Sequence, residues 1–224
     1  MATSDSGSPP TEAPVRNVVI FDVDEGGFAT ARRADLGRWL RRALDETLTD
    51  AGRTLADRNL AQVLKEETER AEMGNAGTYE GAPIAGFAVR TKITQADFSQ
   101  EFNPAYTNFA GFDVSAECEY ASCVKVTVDV YTVPELERVK DFRNQASGSK
   151  SEEVDTESDC REMDPRMLRR TSRDAMAGLR ESLQNYFASP GHVLAAYDWN
   201  GPMRQGSCRL MISEDNHAPL FTGT

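Results

Sequence analysis

Val124, Val126, Val128 and Val130 stand at every second position, with Lys125, Thr127, Asp129 and Tyr131 between them. A period of two is the spacing of side chains on one face of a strand, so the pattern predicts a half-buried β-strand. Such a strand needs neighbours, and the chain offers several. Residues 15–23 form a near-continuous apolar run that ends in polar residues and predicts a buried strand. Residues 139–146 predict an antiparallel neighbour of the valine strand, residues 83–94 another strand, and residues 53–56 a short one.

Between these runs the period changes to that of a helix. Leu36, Trp39, Leu40, Ala43, Leu44 and Leu48 recur at helical spacing over residues 34–49, with Arg38, Arg41, Arg42 and Asp45 between them. Gly52 follows where a left-handed C-cap is wanted. A second helix is predicted over residues 59–72, with Leu60, Val63 and Leu64 inward and Asp57 or Asn59 as its cap. Asp164-Pro165 is an N-cap followed by proline at the first helical position. It opens a helix whose stripe is Leu168, Ala175, Met176, Leu179, Leu183 and Phe187, stopped by Pro190-Gly191.

The intervening segments are read as loops. Residues 73–81 are glycine-rich, residues 94–123 are polar and aromatic, and residues 147–160 are rich in Ser, Glu and Asp and predict a mobile loop. Residues 1–14 read as a Ser/Pro/Gly tether. Residues 192–197 and 208–213 read as two short strands joined at Asn200-Gly201-Pro202. The division expected is a tether at 1–14, one domain at 15–190 with loop insertions near 94–121 and 144–164, and a β-hairpin extension at 191–224.

The formal net charge is −11. Sequence-independent nucleic-acid binding needs a basic footprint, and docking on anionic lipid needs basic clusters, so this balance disfavours both. No apolar run approaches the length of a membrane span. The four cysteines, Cys118, Cys123, Cys160 and Cys208, show no Cys-x-x-Cys spacing, and His192 and His217 lie far from the first three, which disfavours a zinc site. Two disulfides in an oxidising compartment are expected ahead of four buried thiols. Of the three connectivities, Cys118–Cys123 with Cys160–Cys208 closes the most local loop, and sequence does not choose among them.

Catalytic patterns are sparse. There is no Gly-x-Ser-x-Gly elbow and no Gly-x-x-x-x-Gly-Lys-Ser/Thr loop. Asp22-Val23-Asp24 after an apolar strand matches the Asp-x-Asp of haloacid-dehalogenase-type phosphatases, in which the first Asp attacks phosphorus and magnesium sits between carboxylates. Here Glu25-Gly26 follows instead of the usual Gly-Thr. Lys65 and Lys92 do not follow suitable strands, and Asp155, Glu157 and Asp159 lack a preceding apolar strand. The alternative is a pair of solvated strand-end carboxylates. Phe98, Phe102, Tyr106, Phe109 and Phe112 read either as a binding or insertion surface or as a loop facing the core or a subunit; on the first reading they are the candidate partner-binding residues.

The order of elements resembles the CsgG-like lipoproteins, which include the curli secretion channel and, more distantly, LpoB-type activators of penicillin-binding proteins. The resemblance rests on a strand ending in Phe21-Asp22, then Arg58, Leu60, Val63, Leu64 and Glu66 in the second helix. Gly81-Ala82-Pro83-Ile84-Ala85-Gly86-Phe87, the strand Val126-Thr127-Val128-Asp129-Val130-Tyr131-Thr132 and a closing helix at 169–187 complete it. It covers roughly residues 16–190. It implies an α/β fold with a mixed sheet flanked by helices, followed here by the small C-terminal β extension. It also implies an N-terminal lipid anchor in the outer membrane, facing the periplasm, and no catalytic residue, metal or cofactor. The channel-forming member spans the membrane with two amphipathic hairpins. The segment corresponding to the second, residues 144–164, is acidic and has no apolar face, so a pore is not expected. The expectation is a non-catalytic envelope lipoprotein that binds a protein partner in secretion, surface assembly or cell-wall synthesis. Self-association would use the sheet edge and residues 98–112. A magnesium-dependent phosphatase using Asp22 and Asp24 is the alternative.

Overall fold

The computed structural model describes residues 17–56, 58–73, 85–133 and 135–188. The tether, most of the glycine-rich loop, both histidines, Cys208 and the C-terminal extension lie outside the described residues.

The first strand, β1 (Asn17–Ile20), buries Val18, Val19 and Ile20 on both its faces. A strand reads as a continuous apolar run when both faces of its sheet are covered. The chain then forms α1 (Ala29–Ala34) and α2 (Leu36–Asp50), the short β2 (Thr54–Leu55) and α3 (Arg58–Glu72). The three long strands follow: β3 (Phe87–Asn103), β6 (Glu117–Thr132) and β7 (Arg138–Glu153). The two-residue strands β4 (Tyr106–Thr107) and β5 (Asp113–Val114) fall between β3 and β6, and α4 (Pro165–Ala188) comes last. Sheet order is β2-β1-β3-β6-β7, with β1 parallel to β2 and β3 and the remaining pairs antiparallel. The expected α/β class with a mixed sheet is therefore the one observed.

One core lies between the sheet and α1, α2 and α4. Val18, Ile20, Val89 and the four valines of β6 meet Leu36, Leu40, Leu44 and Leu48 and the predicted α4 stripe, Leu168 to Phe187. The second core lies on the other face, where Val19, Phe21, Ala88 and Tyr131 meet Ala61 and Leu64 of α3. Asp164 caps α4 as expected: its Oδ1 accepts from the backbone N–H of Arg166 and Met167 at 2.9 and 3.2 Å. Polar bonds fasten α4 to the sheet. Ser122 and Thr171 hydroxyls lie 2.6 Å apart, and Asn144 Nδ2 donates to the Ala175 carbonyl at 2.8 Å.

Several expectations are corrected. The valine strand is not half-buried, because Asp129 and Tyr131 on its other face are covered too. Asp129 is 3.5 to 3.8 Å from Arg90, Lys92 and Arg138, which compensate the burial of its charge. Val63 is 51% exposed; of the described side chains of α3, Ala61, Leu64 and Thr68 face inward, and that of Leu60 lies outside the described ones. The helix expected at 34–49 is α2, beginning at Leu36; α1 precedes it, separated at Asp35, which takes a left-handed φ of 57°.

The largest correction concerns the loops. Most of residues 94–121 and residues 147–153 are strand, continuing β3, β6 and β7 well beyond the apolar core. Their ladder is made by backbone groups, and one face meets solvent, so the side chains carry little apolar signal.

Gly26 forms the turn after β1 at φ +60°, and a Cβ there would sit 2.6 Å from the Ile93 carbonyl oxygen. Gly27, at φ +77°, has open space. Gly26→Ala is expected to cost about 2–3 kcal/mol in urea unfolding, against about 1 kcal/mol for Gly27→Ala, since only the first adds a backbone clash to positive-φ strain.

Candidate aromatic tip and strand-end cleft

From Phe87 opposite Thr132 to Asn103 opposite Glu117, β3 and β6 pair along their lengths. At about 3.4 Å per residue this makes a ribbon on the order of 50 Å long. Pro104, which has no N–H to donate, follows the last pair. Beyond it, β4 and β5 form a small hairpin of their own at the far end.

Its turn is held by Asn108. The Asn108 Oδ1 accepts from the backbone N–H of Ala110 and Phe112, both at 3.0 Å, and its own N–H donates to the Phe112 carbonyl at 2.9 Å. Gly111 supplies a φ of 82°, and the Thr107 hydroxyl donates to Asp113 at 2.8 Å. An asparagine that bonds its own turn is a strong local organiser. The hairpin presents Tyr106, Phe109 and Phe112 at 59%, 107% and 69% exposure. Three large aromatics are thus kept in water on one ordered turn, where they add no buried surface to the fold.

The five aromatics singled out in the sequence therefore divide. Phe98 and Phe102 lie on β3 opposite Ser122 and Cys118, on the face that α4 covers. Phe98 is half-buried, packs against the α4-side core and stacks on Tyr120 at 6.0 Å between ring centroids. Only Tyr106, Phe109 and Phe112 form the tip. Their neighbours in sequence, Thr107, Asn108, Gly111 and Asp113, are the signal that separates a turn from a core strand.

The base of the tip is stapled. Cys118, at the start of β6, is bonded to Cys160 just before α4, with Cα atoms 5.7 Å apart. This replaces the local pairing of Cys118 with Cys123. The two sit five residues apart on one strand, so they point to opposite faces and lie about 17 Å apart, beyond the reach of a disulfide. Cys123 is disulfide-bonded as well, to a partner outside the described residues. Beside the staple, the Tyr120 hydroxyl accepts from the Arg161 N–H at 3.1 Å, and Arg161 reaches Glu152 and Asp164.

The cleft of the alternative reading lies at the C-terminal end of β1, beside the middle of β3. Its volume is about 460 Å³, and its lining includes Asp22, Asp24, Glu25, Lys65, Glu69 and Arg90. Lys65, placed poorly by sequence order, thus reaches the same cleft as both aspartates. The carboxylates there have structural tasks. Asp24 Oδ1 accepts from Gly26 N–H at 2.9 Å, and Glu25 Oε1 accepts from Gly37 N–H at 3.1 Å, at the start of α2. Asp22 lies 3.7 Å from Arg41, whose guanidinium donates to the Ile20 and Phe21 carbonyls at the strand end. Among the described residues no group of three His, Cys, Asp or Glu side chains is placed to hold a metal ion. In the α4 core, burial raises the Tyr186 phenol above its ordinary value.

No protein-family profile matches the chain, and no curated protein does. Among solved structures, the PelC dodecamer from Paraburkholderia phytofirmans aligns at 15% identity over 79% of this chain and 93% of that one, with a TM-score of 0.38. Lipoprotein GNA1162 from Neisseria meningitidis aligns at 7% identity over 77% of this chain and 97% of that one, with a TM-score of 0.37. A minor lipoprotein from Acinetobacter baumannii aligns at 8% identity over 78% and 91% respectively, with a TM-score of 0.31. At these scores neither fold nor role is transferred from them. Among the described residues no helix is long and apolar enough to cross a membrane.

Stability measurements separate tip from core. Phe109→Ala and Phe112→Ala should leave the unfolding free energy within about 0.5 kcal/mol of wild type, as expected of exposed positions. Phe98→Ala should cost about 2–4 kcal/mol. Replacing Cys118 and Cys160 together by serine releases a 42-residue constraint and should cost about 2–4 kcal/mol, read by guanidinium unfolding without reductant.

Proposed function

We propose that this chain is a non-catalytic, extracytoplasmic domain of a bacterial envelope lipoprotein, and that it works by binding a protein partner through the aromatic tip. One observation carries the binding reading: Tyr106, Phe109 and Phe112 are exposed together on a hairpin ordered by its own hydrogen bonds. Large rigid aromatics at the end of a stiff ribbon lose little conformational entropy on docking and dominate interface energetics. The Cys118–Cys160 bond supports an oxidising compartment, where such bonds persist. The sequence resemblance to CsgG-like lipoproteins supports an outer-membrane anchor, a periplasmic position and a role in secretion, surface assembly or cell-wall synthesis.

The compartment is tested in the native cells by alkyne-palmitate labelling, fractionation and thiol alkylation. The expected result is palmitate label on the native protein, sedimentation with membranes, and cysteines that resist alkylation until reduced. Unlabelled protein in the cytoplasmic fraction with free thiols would overturn the envelope reading.

The cleft that gathers Asp22, Asp24 and Lys65 favours one second reading, a magnesium-dependent phosphatase. It predicts turnover of p-nitrophenyl phosphate with magnesium that Asp22→Asn abolishes while the fold survives. The binding reading predicts no turnover by either protein.

A further inference from the structure

The tip does not stand alone. Between Ile93 and Val124 the chain has no Lys, Arg or His, and it carries Asp97, Glu101, Asp113, Glu117 and Glu119. This stretch holds the outer half of the ribbon and the whole tip. Along the edge strand, β7 ends in Glu152 and Glu153, and Asp155, Glu157 and Asp159 follow before the staple at Cys160. Glu101, Asp113, Glu119, Glu153, Asp155, Glu157 and Asp159 are all exposed. Among the described residues, the nearby cations Lys150 and Arg161 are both engaged with Glu152. Among the described residues, the far end is thus three exposed aromatics rimmed by carboxylates in excess of cations.

We propose that the tip docks into an apolar pocket ringed by lysine or arginine on a partner protein. The proposal rests on the binding reading above and adds the partner's chemistry. Charge complementarity selects it. An acidic rim meeting a basic one steers encounter and suppresses wrong partners, while the aromatics supply affinity once water is excluded. An anionic lipid surface has the wrong sign, because it repels a tip surrounded by carboxylates. Tip-to-tip pairing of two copies would bring the same acidic rim against its own. Size is adequate too: three aromatic side chains bury on the order of 450–750 Å² together, close to the roughly 800 Å² that each side contributes to a standard interface.

The test is site-specific photocross-linking in the native cells with the full chain, using Phe109→p-benzoylphenylalanine, and Val139→p-benzoylphenylalanine as an exposed control away from the tip. The expected result is an adduct with one protein other than this chain, formed from position 109 and not from 139. That protein, once purified, should bind wild type at least about ten-fold more tightly than Phe109→Ala. Its binding should weaken progressively from about 50 to about 500 mM salt, as screening of complementary charge requires. Adducts with phospholipid, or wild-type binding to phosphatidylglycerol–phosphatidylethanolamine vesicles that Phe109→Ala loses, would overturn the proposal in favour of a membrane surface. Adducts with a second copy, salt-independent binding, or no adduct specific to position 109 would overturn it as well. Palmitate label and thiol state in the same cells report the compartment separately. A cytoplasmic protein that still gives the 109 adduct loses the envelope reading alone, whereas a lipidated one without the adduct loses the tip.

Discussion

The backbone ladder between β3 and β6 is the constraint on which the rest of this molecule depends. Its inner half sets Val89 beside Val130 and Ile93 beside Val126, which creates the apolar surface that α4 covers. Its outer half carries few apolar groups and continues because antiparallel pairing satisfies the backbone donors and acceptors that face the partner strand, whatever the side chains are. One ladder therefore builds both the core and the arm that holds the tip away from it.

Covering the sheet unequally gives the two ends different chemistry. Where helices lie on both faces, the strand interior admits a charge only in company, as Asp129 shows with Arg90, Lys92 and Arg138. Toward the far end α3 is absent and the face opposite α4 carries Ser99, Glu101, Glu119, Ser149 and Ser151. A ribbon of this kind would be a weak support on its own. The Cys118–Cys160 bond and the Tyr120–Arg161 contact fasten it to the loop that enters α4, so the tip is carried on a braced arm.

Much of the inner half was legible in the sequence. The β6 valines, the α2 and α4 stripes and the Asp164-Pro165 start are local patterns, and burial follows them except at Trp39 of α2, which is 45% exposed. The outer half was hidden for a physical reason. Residues 97–103 pair as strand although their sequence, Asp-Phe-Ser-Gln-Glu-Phe-Asn, offers no sustained apolar face, because their partner is the backbone of residues 117–123. Val63 was misplaced because helical spacing alone does not fix which way α3 rolls; the packing of Ala61 and Leu64 against Tyr131 and Phe21 does. The aromatics at 98–112 were visible as a group, but the division between Phe98 and Phe109 was not.

By itself the sequence determined the α/β class, the order of most elements, the capping of the last helix, the acidic balance and the presence of an unusual aromatic run, because these follow from local periodicity, turn chemistry and composition. Tertiary structure decided the pairing of Cys118 with Cys160, the burial of Asp129, the extension of the ribbon and the exposure of Tyr106, Phe109 and Phe112. Each of these depends on which distant backbone lies alongside, and a long-range register is an interaction between segments that no single segment encodes.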